Sequence, residues 1–198
     1  MGDSYVAGVG DPAGQGWVGR VVAGAFAAGM PVTAYNLGVR RDTSADVLAR
    51  WQAEARARLA PEAQCRVVFS FGANDATVEN GAPRVGPADS VANLSRALAE
   101  AAELGLLALI VGPPPTNDRE QHAHIGDLSA RFAQVADDHA VPYVEVFGAL
   151  RDSATWSEEA QAADGAHPAA GGYALLAELV LEPWLRWLSS DSTPRLHE

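Results

Sequence analysis

The chain has 198 residues, a formal net charge of -11, 48% hydrophobic and 20% charged residues. That length suits one domain with a proper core, and the composition argues against disorder. The acidic balance gives no support to nucleic-acid binding or to an anionic membrane surface, since both select basic patches.

All 14 basic residues are arginine, so a P-loop lysine, a Schiff-base lysine and a Ser-Lys dyad are excluded by absence. Cys65 is the single cysteine. It permits no intrachain disulfide and no cysteine-based zinc site, which leans towards a reducing, cytoplasmic location. No apolar run is long enough to span a bilayer, so no stable membrane insertion is expected.

In chain order, Gly2-Asp3-Ser4 is a turn-forming tripeptide followed by a glycine-rich loop from Gly8 to Gly16. Pro12 and the lack of a preceding strand speak against a dinucleotide fingerprint there. Trp17 to Ala28 has helical spacing, with Val18, Val21, Val22 and Phe26 on one face and Gly29 closing it. Val32 to Asn36 reads as a short strand. Thr43 or Ser44 can cap a helix reaching about Leu59. Val67 to Phe71 is β-branched and aromatic, of strand length, and suited to burial on both faces.

A polar loop leads to a helix from about Ala88 to Leu104, then a strand over Leu106 to Val111. A long polar loop containing His122 and His124 precedes a helix from Gly126 to His139 and a strand from Pro142 to Val146. After a mixed segment around Trp156, a final helix carries Tyr173, Leu176, Leu179, Val180, Trp184 and Trp187, with a kink expected at Pro183. The domain is expected to cover 1–188, leaving 189–198 as a polar tail. Alternating strands and helices at this spacing imply an α/β fold: a doubly wound parallel sheet with helices on both faces.

Ligands in such sheets bind beyond the carboxyl ends of the strands. The blocks Asn36–Thr43, Gly72–Asp75 and Asp164–His167 all fall after strands or at loop-to-helix turns, and Gly2-Asp3-Ser4 joins them if a strand leads into it. Asp164 and His167 are three apart, close enough for the carboxylate to hold one imidazole nitrogen while the other faces outward, as a base for serine requires. The Asn74 amide can donate to an oxyanion, and Asp75 suits a loop-holding role. An alternative reading takes His122 and His124 as metal ligands, but their polar loop has few fixed acidic partners, and surface histidines are the better account of them.

Gly2-Asp3-Ser4, Asn36-Leu37-Gly38 through Asp42-Thr43, Gly72-Ala73-Asn74-Asp75 and Asp164-Gly165-Ala166-His167-Pro168 together resemble the conserved blocks of the SGNH (GDSL-type) hydrolases, which are lipase/acylhydrolase-like esterases. The resemblance implies a three-layer α/β/α flavodoxin-like fold, no cofactor or metal, and hydrolysis of a small ester or thioester through an acyl-enzyme. Ser4 would be the nucleophile, His167 the base and Asp164 its orienter. The oxyanion hole would combine the Ser4 N–H, a backbone N–H of the second block and the Asn74 side chain.

Two departures accompany the resemblance. The family's second block has glycine immediately before Asp-Thr, whereas here that position is Arg41, so the expected donor is the Arg41 N–H with Gly38 as fallback. The family also reaches Gly-Asp-Ser along an apolar central strand, in the sheet order 2-1-3-4-5. That strand has no counterpart here, which suggests an amino-terminal truncation. The competing reading is a non-catalytic binding or structural protein on the same fold, disabled by that truncation. The partner expected is a small-molecule ester, and a homo-oligomer is left open.

Overall fold

The computed structural model describes residues 1–60 and 63–190. It contains, in order, α1 (Ser4–Ala7), α2 (Gly16–Ala27), α3 (Ser44–Arg56), β1 (Arg66–Phe69), β2 (Val78–Glu79), β3 (Ala82–Pro83), α4 (Pro87–Glu103), β4 (Leu107–Val111), α5 (Arg119–Asp138), β5 (Tyr143–Val144), α6 (Phe147–Arg151), α7 (Ala154–Ala162) and α8 (Ala170–Ser189). The fold is α/β, with β1, β4 and β5 forming a parallel sheet in that order.

Gly2 extends this sheet by single parallel bridges to Ser70 on one side and Gly38 on the other. The order Gly38, Gly2, β1, β4, β5 therefore reproduces the expected 2-1-3-4-5 arrangement at the site end. Only there is it complete.

Strand alternation explains the two helical layers, because successive side chains point to opposite faces. Val68, Leu107, Leu109 and Val111 face a core built with Trp17, Val21, Tyr173, Leu176, Val180, Trp184 and Trp187 of α2 and α8. Val67, Phe69, Ala108 and Ile110 face the opposite core, filled by Val47, Trp51, Leu94, Leu98, Phe132 and Ala136 of α3, α4 and α5. Each large side chain buried this way contributes about 1.5–3 kcal/mol.

Several expectations are corrected. Val32 to Asn36 forms no strand. A strand needs a ladder partner, and between this segment and β1 lies a groove of about 750 Å³, walled by Val32, Ala34, Tyr35, Val67, Val68 and Trp187. In α2 the buried stripe is Trp17, Val21 and Ala25, while Phe26 is 56% exposed. The fifth helix begins seven residues early, at Arg119, because Asp118 caps it by accepting from the Glu120 and Gln121 N–H groups. The stretch expected to be a polar loop after Thr77 contains a β2–β3 hairpin, turned by Asn80 and Gly81 at positive φ, a two-residue pairing that favours this turn. α8 continues through Pro183 to Ser189, and 191–198 of the expected tail lie outside the described residues. Among the described residues, no helix is long and apolar enough to cross a membrane.

Candidate active site

Ser4 opens α1, a single turn whose sharp entry is fixed at both ends. Asp3 caps it by accepting from the Tyr5 N–H at 2.9 Å, and Gly8 ends it in the left-handed region. This geometry depends on a close approach: a Cβ on Gly38 would lie 2.2 Å from the Ala7 nitrogen. Glycine at 38 is thus a packing requirement of the Ser4 turn. The Gly38 N–H is also taken, donating to Asn36 Oδ1 at 3.1 Å, which removes it as the fallback oxyanion donor.

The glycine loop behind Ser4 is closed by Asp11. Its carboxylate accepts from Ala13, Gln15 and Gly16 N–H groups and pairs with Arg20 at 2.5 Å. The Arg20 hydrogen bond foremost, helped by the backbone donors, holds the Asp11 carboxyl down to about 2. Asp11 thereby fills the α2 N-terminus, where a phosphate would sit in a nucleotide fold.

Ser4 and His167 are 163 residues apart in sequence, yet Ser4 Oγ and His167 Nε2 are 2.7 Å apart. On the other side of the ring, His167 Nδ1 and Asp164 Oδ2 are 2.7 Å apart. Partial burial works against a charge on Asp164, but donation from the His167 backbone and ring and from the Ala166 N–H outweighs it and holds the carboxyl down to about 2. Asp164 is therefore an acceptor at neutral pH. The Nδ1 proton points to it, and Nε2 presents its lone pair to the Ser4 hydroxyl.

The His167 loop is braced by residues the sequence reading did not single out. Tyr5 donates to the Ala166 carbonyl at 3.0 Å and its ring lies 5.0 Å from the imidazole. Glu159 of α7 accepts from the Ala169, Gly171 and Gly172 N–H groups, capping α8 from outside. Gly171 makes room for it, since a Cβ there would sit 2.6 Å from Glu159 Oε1.

Arg41 and Asn74, the expected oxyanion donors, come from two further loops. Arg41 has φ of 70°, the left-handed conformation that favours glycine, so the backbone keeps a glycine-like shape with arginine in place. Among the described residues, neither the Ser4 nor the Arg41 N–H has a recorded acceptor. The Arg41 guanidinium is turned to Glu79 at 2.9 Å, and its carbonyl accepts from Arg84. Asn74 Nδ2 donates to the Asp42 carbonyl at 2.9 Å and lies 3.4 Å from Asp3 Oδ2.

Asp75 holds the loops, as its position suggests. Its Oδ1 accepts from the Ser44 N–H at 2.7 Å, and Thr43 forms a capping box with Asp46 beside it. Arg50 is a further fixture that no motif signalled. It pairs with Asp42 at 2.7 Å and donates to the carbonyls of Gly2 and Leu37, each at 3.0 Å.

The remaining candidates lie apart from this cluster. His122 bonds the Thr116 carbonyl through its ring and His124 is exposed. At i and i+2 of one helix they do not share a face. Among the described residues, no group of three or more His, Cys, Asp or Glu is placed to hold a metal ion.

The family model for the GDSL-like lipase/acylhydrolase family matches residues 1–175. The chain belongs to that family. By membership it is a carboxylic ester hydrolase. A solved lipase/acylhydrolase from Enterococcus faecalis is similar at 27% identity and TM-score 0.77, with 93% of each chain covered. The acetylxylan esterase Axe2 from Geobacillus stearothermophilus shares the fold at 19% identity and TM-score 0.74, covering 98% of this chain and 94% of that one. The psychrotrophic esterase EstA from Pseudoalteromonas sp. does so at 17% identity and TM-score 0.74, covering 96% and 97%. A comparison with curated proteins gives no match.

Proposed function

We propose that the protein hydrolyses a small ester or thioester by a Ser-His-Asp mechanism through an acyl-enzyme. The observation that carries this reading is the unbroken Ser4–His167–Asp164 relay, with both contacts at 2.7 Å. His167 Nε2 takes the Ser4 proton as Oγ attacks the carbonyl carbon, and Asp164 stabilises the imidazolium so formed. The oxygen of the tetrahedral intermediate is received by the N–H groups of Ser4 and Arg41 and by Asn74 Nδ2, donors fixed in advance of the charge they stabilise. His167 then returns the proton to the leaving alcohol or thiol. A water activated by the same imidazole releases the acid and regenerates Ser4.

The test is Ser4→Ala, assayed on a short-chain nitrophenyl ester and with a fluorophosphonate probe. Turnover and labelling should both disappear while thermal unfolding is unchanged. Retained turnover in Ser4→Ala would refute the assignment.

A further inference from the structure

We propose that Asp3 is a positioning residue of the oxyanion hole, a buried carboxyl whose weak hold on Asn74 Nδ2 leaves that amide available to the substrate oxygen. The inference rests on the reading of Ser4 and Asn74 given above.

Asp3 is adjacent to Ser4, 1% exposed and, among the described residues, in no ion pair. One oxygen is committed to the Tyr5 N–H and the other faces Asn74 Nδ2. The Asn74 amide has two hydrogens. One goes to the Asp42 carbonyl at 2.9 Å. The other is the hydrogen an oxyanion would use, and Asp3 Oδ2, at 3.4 Å, is its only recorded competitor among the described residues. That distance marks a weak hold. A carboxylate would bind the same hydrogen far more strongly, since charge-assisted bonds are shorter and about twice as strong. It would also set a negative charge beside the oxygen that must become negative.

The surroundings favour the neutral form. Burial foremost, with the charges of Asp75 and Asp42 added, pushes the Asp3 carboxyl up to about 7 against the pull of the Tyr5 N–H. From the 72–77 turn, Asp75 is itself raised, mainly by burial. From α3, Arg50 is spent on Asp42, Glu54 and two carbonyls. From α1 and α8, the Tyr5 and Tyr173 hydroxyls are pushed up by burial, so neither ionises in the same range.

The experiment is the pH profile of kcat for the wild type and Asp3→Asn. Asparagine keeps the helix cap, being as good an N-cap as aspartate, and cannot ionise. On the acid side the two profiles should coincide. Above about pH 7 the wild type should decline towards the roughly 10²-fold loss expected for one missing donor, with KM little changed, while Asp3→Asn stays flat. A wild-type profile without that decline, or the same decline in Asp3→Asn, overturns the proposal. A second measurement needs no variant: a carboxyl carbon-13 NMR titration should give Asp3 a midpoint matching the decline, and a midpoint well below it also overturns the proposal. Fluorophosphonate labelling of Ser4 separates the two levels. If Ser4 labels and the profiles disagree with expectation, only the Asp3 inference falls; if Ser4 does not label, the underlying reading falls with it.

Discussion

The two ends of the sheet differ in how they are held together. At the carboxyl ends of the strands, Gly2 is bridged on both sides, and Arg50, Asp75, Asn74 and Glu159 tie the segments around residues 37–44, 72–75 and 169–172 to their neighbours. A few residues lower, between 30–37 and β1, the sheet opens into the 750 Å³ groove and the segment opposite β1 has no regular structure. At the site end, side chains and loop backbone add a polar network to the two bridges at Gly2. Two glycine bridges fix the register; the polar network does the rest.

The sharpest way to break the comparison is at its chemical end. Asn74→Ala should lower kcat about 10²–10³-fold, the usual loss for one oxyanion donor. KM should move little, because the bond is made to the transition state. An unchanged kcat would mean that the Asn74 amide serves the Asp42 carbonyl alone.

Arg50→Ala tests whether the network or the ladder carries the site end. It removes charged hydrogen bonds to Asp42, Gly2 and Leu37, and bonds to charged groups contribute about 1.5–3 kcal/mol. A loss of about 3 kcal/mol in urea unfolding is expected. A loss below about 0.5 kcal/mol, the range of ordinary surface substitutions, would show that the two bridges at Gly2 suffice.

A matched pair of enlargements compares the two regions directly. Ala73, beside Asn74, is 3% exposed, so Ala73→Leu should cost about 1–3 kcal/mol by overpacking. Ala34 lies on the groove wall, where Ala34→Leu should be neutral or gain up to about 1 kcal/mol by covering apolar surface. Equal costs at the two positions would contradict an open groove.

What the sequence revealed and what it hid follow the same division. The grouping of Ser4, Asn74, Asp164 and His167 was legible because short-range chemistry confines each to a turn of fixed spacing, and the alternating strands gave the parallel order. The braces were not legible. Arg50 and Glu159 sit on helices and act across tens of residues, so no local pattern marks them. Val32–Asn36 was misread for the complementary reason: its β-propensity is real, but propensity forms a strand only against a partner. Asp118 and the Asn80-Gly81 pair were available signals, a cap and a hairpin turn, hidden within stretches that polarity alone labelled as loop.

Arg41 is where the two regions meet the family pattern, and its effect is the smallest expected. Its left-handed backbone costs an ordinary side chain about 1–3 kcal/mol. Arg41→Gly removes that strain but adds about 0.4–1 kcal/mol of unfolded-state entropy. It also gives up an exposed Glu79 pair worth about 0–1 kcal/mol. The balance is a gain of about 0.5–1 kcal/mol, readable as a raised urea midpoint at constant m-value. Because glycine keeps the backbone N–H, kcat on a neutral ester should be unchanged. A tenfold loss would assign the guanidinium itself to the transition state and move the oxyanion donor at position 41 from backbone to side chain.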